Sequence, residues 1–303
     1  MNYSRFKMPR NKPHRRYMTC VLSLFVLSLD LPAQEPVPVR LAGTDLLKGP
    51  IGESIEKAAG QMTLEAQWPG TRKALQLLRA GKVDLAIVTG MSPKDMPEVA
   101  GMRQIPLAYR ISRVVVAKDN LLDSITIEQL RAIFGNRASR KLDLWGGLGL
   151  SGAWSSRGIQ PMVTERFTTF SREIFEHHAL RDDRLQATVK VFADEQALAT
   201  TFKQNPGAIG VFASLNVEGF GKSLPIAFKE GEAFGATPEN LYFGDYPLQM
   251  PFIVLFPETR LQELAPVIRT FYSSEVARII FQNGLAPVPD NFRLAELKKL
   301  SDH

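Results

Sequence analysis

Between Trp68 and Gly90 the chain reads WPGTRKALQLLRAGKVDLAIVTG, and the period of its apolar positions changes midway. Ala74, Leu75, Leu77 and Leu78 recur at helical spacing, so this stretch predicts an amphipathic helix with one buried face. Pro69 and Gly70 mark a turn before it, and Thr71 is placed to cap it with its hydroxyl. Gly81 ends the helix, because glycine enters a left-handed cap without strain. Val83–Val88 is then almost continuously apolar, the pattern of a parallel strand covered on both faces. A helix that opens with free N–H groups beside a glycine turn is a ready anion site. The plainer alternative is one more loop–helix–strand unit.

The same patterns extend in both directions. Val37–Leu41 predicts a strand that runs into Gly43, Thr44 and Asp45, and Pro50–Gly60 a helix. Together with the stretch above they give strand–helix–turn–helix–strand with parallel strands. Ile105–Lys118 and Leu248–Phe256 are long apolar strands whose lengths suit crossings between two domains. Between them lie a helix at Thr126–Phe134 capped by Thr126, a strand at Ile159–Thr164 and a helix at Thr168–Leu180. Val189–Phe192, Asp194–Gln204 and Gly207–Phe212 form a further strand–helix–strand unit, and Leu261–Asn283 is a final helical region. The fold class is therefore α/β: two domains joined by two crossing strands, with a cleft between them. In open α/β sheets ligands bind beyond the carboxyl ends of the strands. The loops Gly43–Leu47, Trp68–Arg72 and Glu165–Ser171 occupy such ends, and all three offer hydroxyls or a helix start.

Charge changes the picture at the N-terminus. Arg5, Lys7, Arg10, Lys12, Arg15 and Arg16 precede an uncharged apolar run, Met18–Leu29, and Leu31-Pro32-Ala33 follows. This is the layout of a secretory signal peptide over residues 1–33, cleaved after Ala33. The apolar run is too short for a membrane span, which needs about 20 residues. The formal net charge is +6, but residues 1–33 hold six of the 37 basic residues and one of the 31 acidic ones. The remaining chain carries a net of only +1 and has no basic stripe for nucleic acid. It also loses the single cysteine, Cys20, so disulfide and thiol chemistry are excluded from it.

Five motifs in order carry a resemblance to the phosphate-binding, substrate-binding proteins of bacterial ABC transporters. They are GTRKALQLLRAGKVDLAIVTG, PLAYRISRVVVAKDN, ITIEQLRAIFGNRASRKLDLW, NPGAIGVFASLN and YPLQMPFIVLF, and together they span most of residues 37–290. The resemblance implies a two-domain periplasmic-binding-protein fold. The first domain is expected at 34–112 plus 246–303 and the second at 113–245. It further implies an exported, periplasmic or secreted monomer that captures a small inorganic anion and meets ABC permease membrane subunits. The family's first-domain serine maps to Thr71, and its helix-opening Ser-Gly-Thr run falls in Arg166-Phe167-Thr168-Thr169-Phe170-Ser171. There Thr168, Thr169 and Ser171 keep the hydroxyls, and no glycine is present. The family's acid falls near Thr89-Gly90, where this chain has no carboxylate, and Asp45 is the candidate substitute. Loss of that acid bears on phosphate selectivity, because an unpaired carboxylate rejects fully deprotonated oxyanions.

The expected ligand residues are thus Thr44, Asp45, Gly70, Thr71, Arg72, Arg166, Thr168, Thr169 and Ser171. Arg72 and Arg166 are the candidate charge partners, since guanidinium matches oxyanions with a fork; a solvated surface arginine is the alternative for each. Trp68 and Trp145 read as packing residues before cleft walls. No cofactor, metal or enzyme signature is expected. His177 and His178 are adjacent on one helix, Glu173 and Glu176 read as its solvated face, and no nucleophile elbow or phosphate loop occurs. A sensory or scaffold protein of the same fold, with altered or lost binding, is the alternative function.

Overall fold

A computed structural model describes residues 38–59, 64–91, 100–229 and 231–299. The leader expected at 1–33, and the stretches 34–37 and 300–303 of the expected first domain, lie outside the described residues. The chain begins with β1 (Val39–Gly43), α1 (Pro50–Ala58), β2 (Leu64–Gln67), α2 (Thr71–Arg79), β3 (Leu85–Thr89) and β4 (Met102–Ile111). It continues through β5 (Arg113–Val116), β6 (Ile125–Thr126), α3 (Ile127–Phe134), β7 (Gln160–Thr164), α4 (Ser171–His178) and β8 (Lys190–Phe192). Next come α5 (Glu195–Lys203), β9 (Ala208–Phe212), β10 (Lys222–Ser223), β11 (Ile226–Ala227), β12 (Ala233–Phe234) and α6 (Pro238–Phe243). It ends with β13 (Gln249–Pro257), α7 (Leu261–Phe271), α8 (Ser274–Gln282), β14 (Ala286–Pro287) and α9 (Asp290–Lys299).

Two main sheets organise these elements. The first is six-stranded, ordered β14–β4–β13–β3–β1–β2, with β1 parallel to both β2 and β3. Strand β3 shows why its sequence is continuously apolar. Leu85 and Ile87 face the core shared with Leu41, Ile51 and Ile55, whereas Ala86 and Val88 face Ala74 and Leu78 of α2. Both faces are covered from Leu85 to Val88, so these four positions are apolar, and the polar Thr89 comes only where the strand ends. Strand β2, absent from the predicted order, is a polar edge strand that pairs only with β1 and alternates half-buried and exposed positions. Asp84, just before β3, is held by Arg40 and Arg260 at 3.1 and 2.6 Å. Burial alone raises its pKa, but these hydrogen bonds outweigh burial and bring it down to about 2.

The second sheet is five-stranded, ordered β10–β5–β9–β7–β8. One face packs Val115, Met162 and Phe212 against Leu198 and Phe202 of α5. The other packs Val163 and Val211 against α3, α4 and Trp145, whose ring is fully buried and donates Nε1–H to the Gly207 carbonyl at 3.2 Å. Helix α3 opens as its sequence predicts, with Thr126 and Gln129 satisfying each other's backbone N–H groups.

The crossing between the sheets differs from the expected single strand over 105–118. It breaks at Ser112, where the chain passes from the first sheet to the second while the two crossings stay bonded to each other. Ser112 N–H donates to the Leu248 carbonyl at 2.9 Å, and Tyr246 Oη donates to the Ser112 carbonyl at 2.7 Å. Ser112 and Tyr246 are completely buried, so these bonds fix the path of both crossings.

Candidate functional site

Two of the three expected loops meet at the carboxyl ends of β1 and β3. Gly70 N–H donates to the Gly43 carbonyl at 3.2 Å, and Thr44 N–H to the Ile87 carbonyl at 2.8 Å. Gly70 has φ +92°, a left-handed conformation that favours glycine, and an Asp45 carboxylate oxygen lies 3.6 Å from where its β-carbon would be. Thr44, Asp45, Gly70 and Thr71 are therefore one cluster at the opening of α2. The Trp68 ring lies over Gly43 and Gly52, and a β-carbon there would come within 2.2 and 2.8 Å of it. That close approach makes Trp68 a packing residue.

Thr71 does not act as the expected cap. Gly70 takes the cap position, and Thr71 is the first helical residue. The Thr71 hydroxyl instead accepts from Thr89 N–H at 3.2 Å and faces the Thr89 carbonyl at 3.4 Å, which ties α2 to the end of β3. The first N–H groups of α2 then have no acceptor within the helix. Arg72 is exposed on its outer side.

The third loop opens α4, and the helix starts later than the predicted Thr168. Phe170 has φ +62° and Phe167 has φ +62°, and neither conformation continues a helix. Such a conformation is uncommon for an aromatic residue and costs about 1–2 kcal/mol. The glycine-free loop thus places two phenylalanines in a backbone conformation that favours glycine. Thr169 Oγ1 and Ser171 Oγ lie 2.9 Å apart at the helix opening. Thr168 faces the Ala193 carbonyl at 3.5 Å and is exposed.

Helix α4 holds this strained loop with its own carboxylates. Glu173 accepts from Phe167 N–H at 2.8 Å, and Glu176 receives both Arg166 and Arg172, the latter at 2.7 Å. Glu173 and Glu176 are buried, against the expectation of a solvated face, because the loop folds back over them. Arg166, expected as a charge partner for a ligand, is half-exposed and committed to Glu176. His177 and His178 meet ring to ring at 5.0 Å, although adjacency on a helix predicts divergence; His177 also turns to Asp182, and His178 to the Met91 carbonyl at 2.6 Å. Among the described residues no three His, Cys, Asp or Glu side chains gather as a metal site.

Two hydrogen bonds bring α4 to the first sheet. One is His178 to Met91, just beyond β3. The other comes from Arg110 on β4, whose Nη1 donates to the Thr169 carbonyl at 2.9 Å. Arg110 escaped the sequence-based list; the available signal was a lone charge inside the apolar crossing segment PLAYRI. The openings of α2 and α4 are thus set around the ends of β3 and β4.

No family model matches the chain. In sequence the chain is 23% identical to the phosphate-binding protein PstS of Pseudomonas aeruginosa over 205 residues, 65% of this chain and 63% of that protein. In fold it is similar to PstS of Borrelia burgdorferi, with a TM-score of 0.65 at 14% identity over 83% of this chain and 99% of the other. It is also similar to an ABC-type phosphate transport receptor of Vibrio cholerae, with a TM-score of 0.54 at 18% identity over 82% and 99%. The fold is therefore of the α/β periplasmic-binding-protein class, built on two main sheets joined by two crossing segments. The resemblance to phosphate ABC transporter substrate-binding proteins carried by the motifs extends to the sequence over 65% of this chain and to the fold over 82–83% of it.

Proposed function

We propose that this chain is an exported solute-binding protein that closes two lobes on a small oxyanion, phosphate first, and delivers it to ABC permease membrane subunits. Residues 34–112 with 246–303 form one lobe, 113–245 the other, and the leader at 1–33 directs a monomer to the periplasm. The observation that carries this reading is that both helix openings are held at the carboxyl ends of strands of the first sheet, α2 by the Thr71–Thr89 bond and the loop before α4 by the Arg110–Thr169 bond. Helix openings supply N–H donors and a positive dipole end, and Thr169 and Ser171 add hydroxyls. Asp45 at the α2 opening accepts a hydrogen bond from the O–H of a protonated oxyanion and so substitutes for the acid missing near Gly90. Binding, with no reacting group, is what such donors do. No helix among the described residues is long and apolar enough to cross a membrane.

One observation favours a second reading, a sensor or scaffold that lost tight binding: the Arg166–Ser171 loop has no glycine, and Phe167 and Phe170 take its left-handed positions. Small-angle X-ray scattering separates the two. For the transport receptor, the radius of gyration falls along a saturable curve as phosphate is added to stripped protein. For the scaffold, it does not respond to phosphate.

A further inference from the structure

We propose that Arg110, rather than Arg72 or Arg166, supplies the positive charge that faces the anion in this chain. The assignment rests on the reading of the cleft as an anion site. Arg110 leaves the first sheet two residues before the crossing at Ser112 and reaches the opening of α4. Its Nη1 takes the Thr169 carbonyl, and its guanidinium carbon lies 5.7 Å from the centre of the Phe170 ring. Its Nε is buried with no acceptor. No carboxylate comes within ion-pair distance of it among the described residues, whereas Arg40, Arg103, Arg166, Arg172, Arg260 and Arg293 all have one.

A cation withdrawn from water without a counter-charge is costly, and proteins normally pair it. Burial alone lowers its pKa, with no acidic neighbour opposing, yet a guanidinium remains charged at neutral pH. Arg113, on the other side of Ser112, is different: Tyr246 and Glu218 counter its burial, and Glu239 lines the same cavity of about 620 Å³. Arg110 therefore has an unanswered charge beside the paired hydroxyls of Thr169 and Ser171. The edge formed by its Nε and Nη2 is the fork that matches two oxygens of an oxyanion. The Thr169 bond fixes the other edge, so the fork is held in place before the ligand arrives.

The test is equilibrium dialysis of purified protein, unfolded and refolded to strip bound anion, against radiolabelled phosphate, with Arg110→Gln and Arg110→Lys beside the wild type. Arg110→Gln is expected to weaken phosphate binding roughly 30-fold, and Arg110→Lys, which keeps the charge without the fork, to recover part of that loss. Without phosphate, the thermal midpoint of Arg110→Gln is expected within a few degrees of the wild type, because loss of the Thr169 bond is offset by removal of a partly buried charge that has no carboxylate partner. If Arg110→Gln folds and binds phosphate within threefold of the wild type, the assignment is overturned and the anion reading stands. Should Arg110→Gln fail to fold, Arg110→Met takes its place as the uncharged variant under the same criterion, and equal affinity of Arg110→Lys and wild type overturns the fork alone. A wild type that binds neither phosphate nor sulfate, arsenate or molybdate overturns the anion reading itself, and this assignment with it.

Discussion

Replacing Trp145 by alanine is expected to lower the stability of the protein by about 3–5 kcal/mol, the range for deleting a large buried aromatic side chain. Trp145 is fully buried, stands edge-on to Trp154 with ring centres 5.9 Å apart, and donates to the Gly207 carbonyl. Truncation removes the ring contacts, leaves a void beneath the five-stranded sheet and strips the carbonyl of its donor. A conservative Trp145→Phe keeps most of the volume and loses the hydrogen bond, so its cost is smaller, about 1–3 kcal/mol. Urea unfolding of both variants measures the difference. A loss below about 1 kcal/mol for alanine would contradict the place of Trp145 in this core.

The second large effect is expected at Glu176. Its buried carboxylate joins Arg166 from the strained loop and Arg172 from the helix itself. Glu176→Gln removes the charge both arginines answer. Arg166 can return to water because it is half-exposed, whereas Arg172 is largely buried and stays uncompensated. The expected cost is about 2–4 kcal/mol, toward the low side of the usual loss for breaking a buried pair. The loop bearing Phe167 and Phe170 loses its latch, so phosphate affinity falls as well. Glu173, which holds Phe167 N–H, keeps part of the loop in place, so the affinity loss is partial. Urea unfolding and phosphate dialysis on the same preparation read the two effects. Unchanged stability with unchanged affinity would contradict the latch.

Much of the fold was legible in the sequence because its signals are local. The continuous apolar run at 83–88 marks a doubly covered strand, Gly81 stops α2 at φ +63°, and Thr126 with Gln129 announces the start of α3. What escaped the sequence depends on partners far along the chain. The Thr71 hydroxyl is drawn from its own helix to Thr89, eighteen residues on, since that contact exists only once β3 lies beside α2. Phe170 delays α4 by taking a left-handed conformation that its residue type disfavours, which no propensity foretells. Glu173 and Glu176 are buried only because the preceding loop folds over them. Arg110 is the clearest case. A charge within the apolar segment PLAYRI is visible in the sequence, but its lack of a carboxylate is a property of the surrounding fold.

Thermal unfolding of the stripped, purified protein against phosphate, sulfate, arsenate and molybdate tests oxyanion capture most directly. A ligand at about 100 times its dissociation constant adds about 2.7 kcal/mol to the folded state, which raises the midpoint by roughly 5–10 °C for a chain of this size. The predicted result is a shift of that size with phosphate, cut to about a third in Arg110→Gln at the same phosphate concentration. A shift with sulfate or molybdate and none with phosphate would mean that the missing acid near Gly90 has turned selectivity to fully deprotonated oxyanions. No shift with any of the four would contradict oxyanion capture and leave the sensor or scaffold.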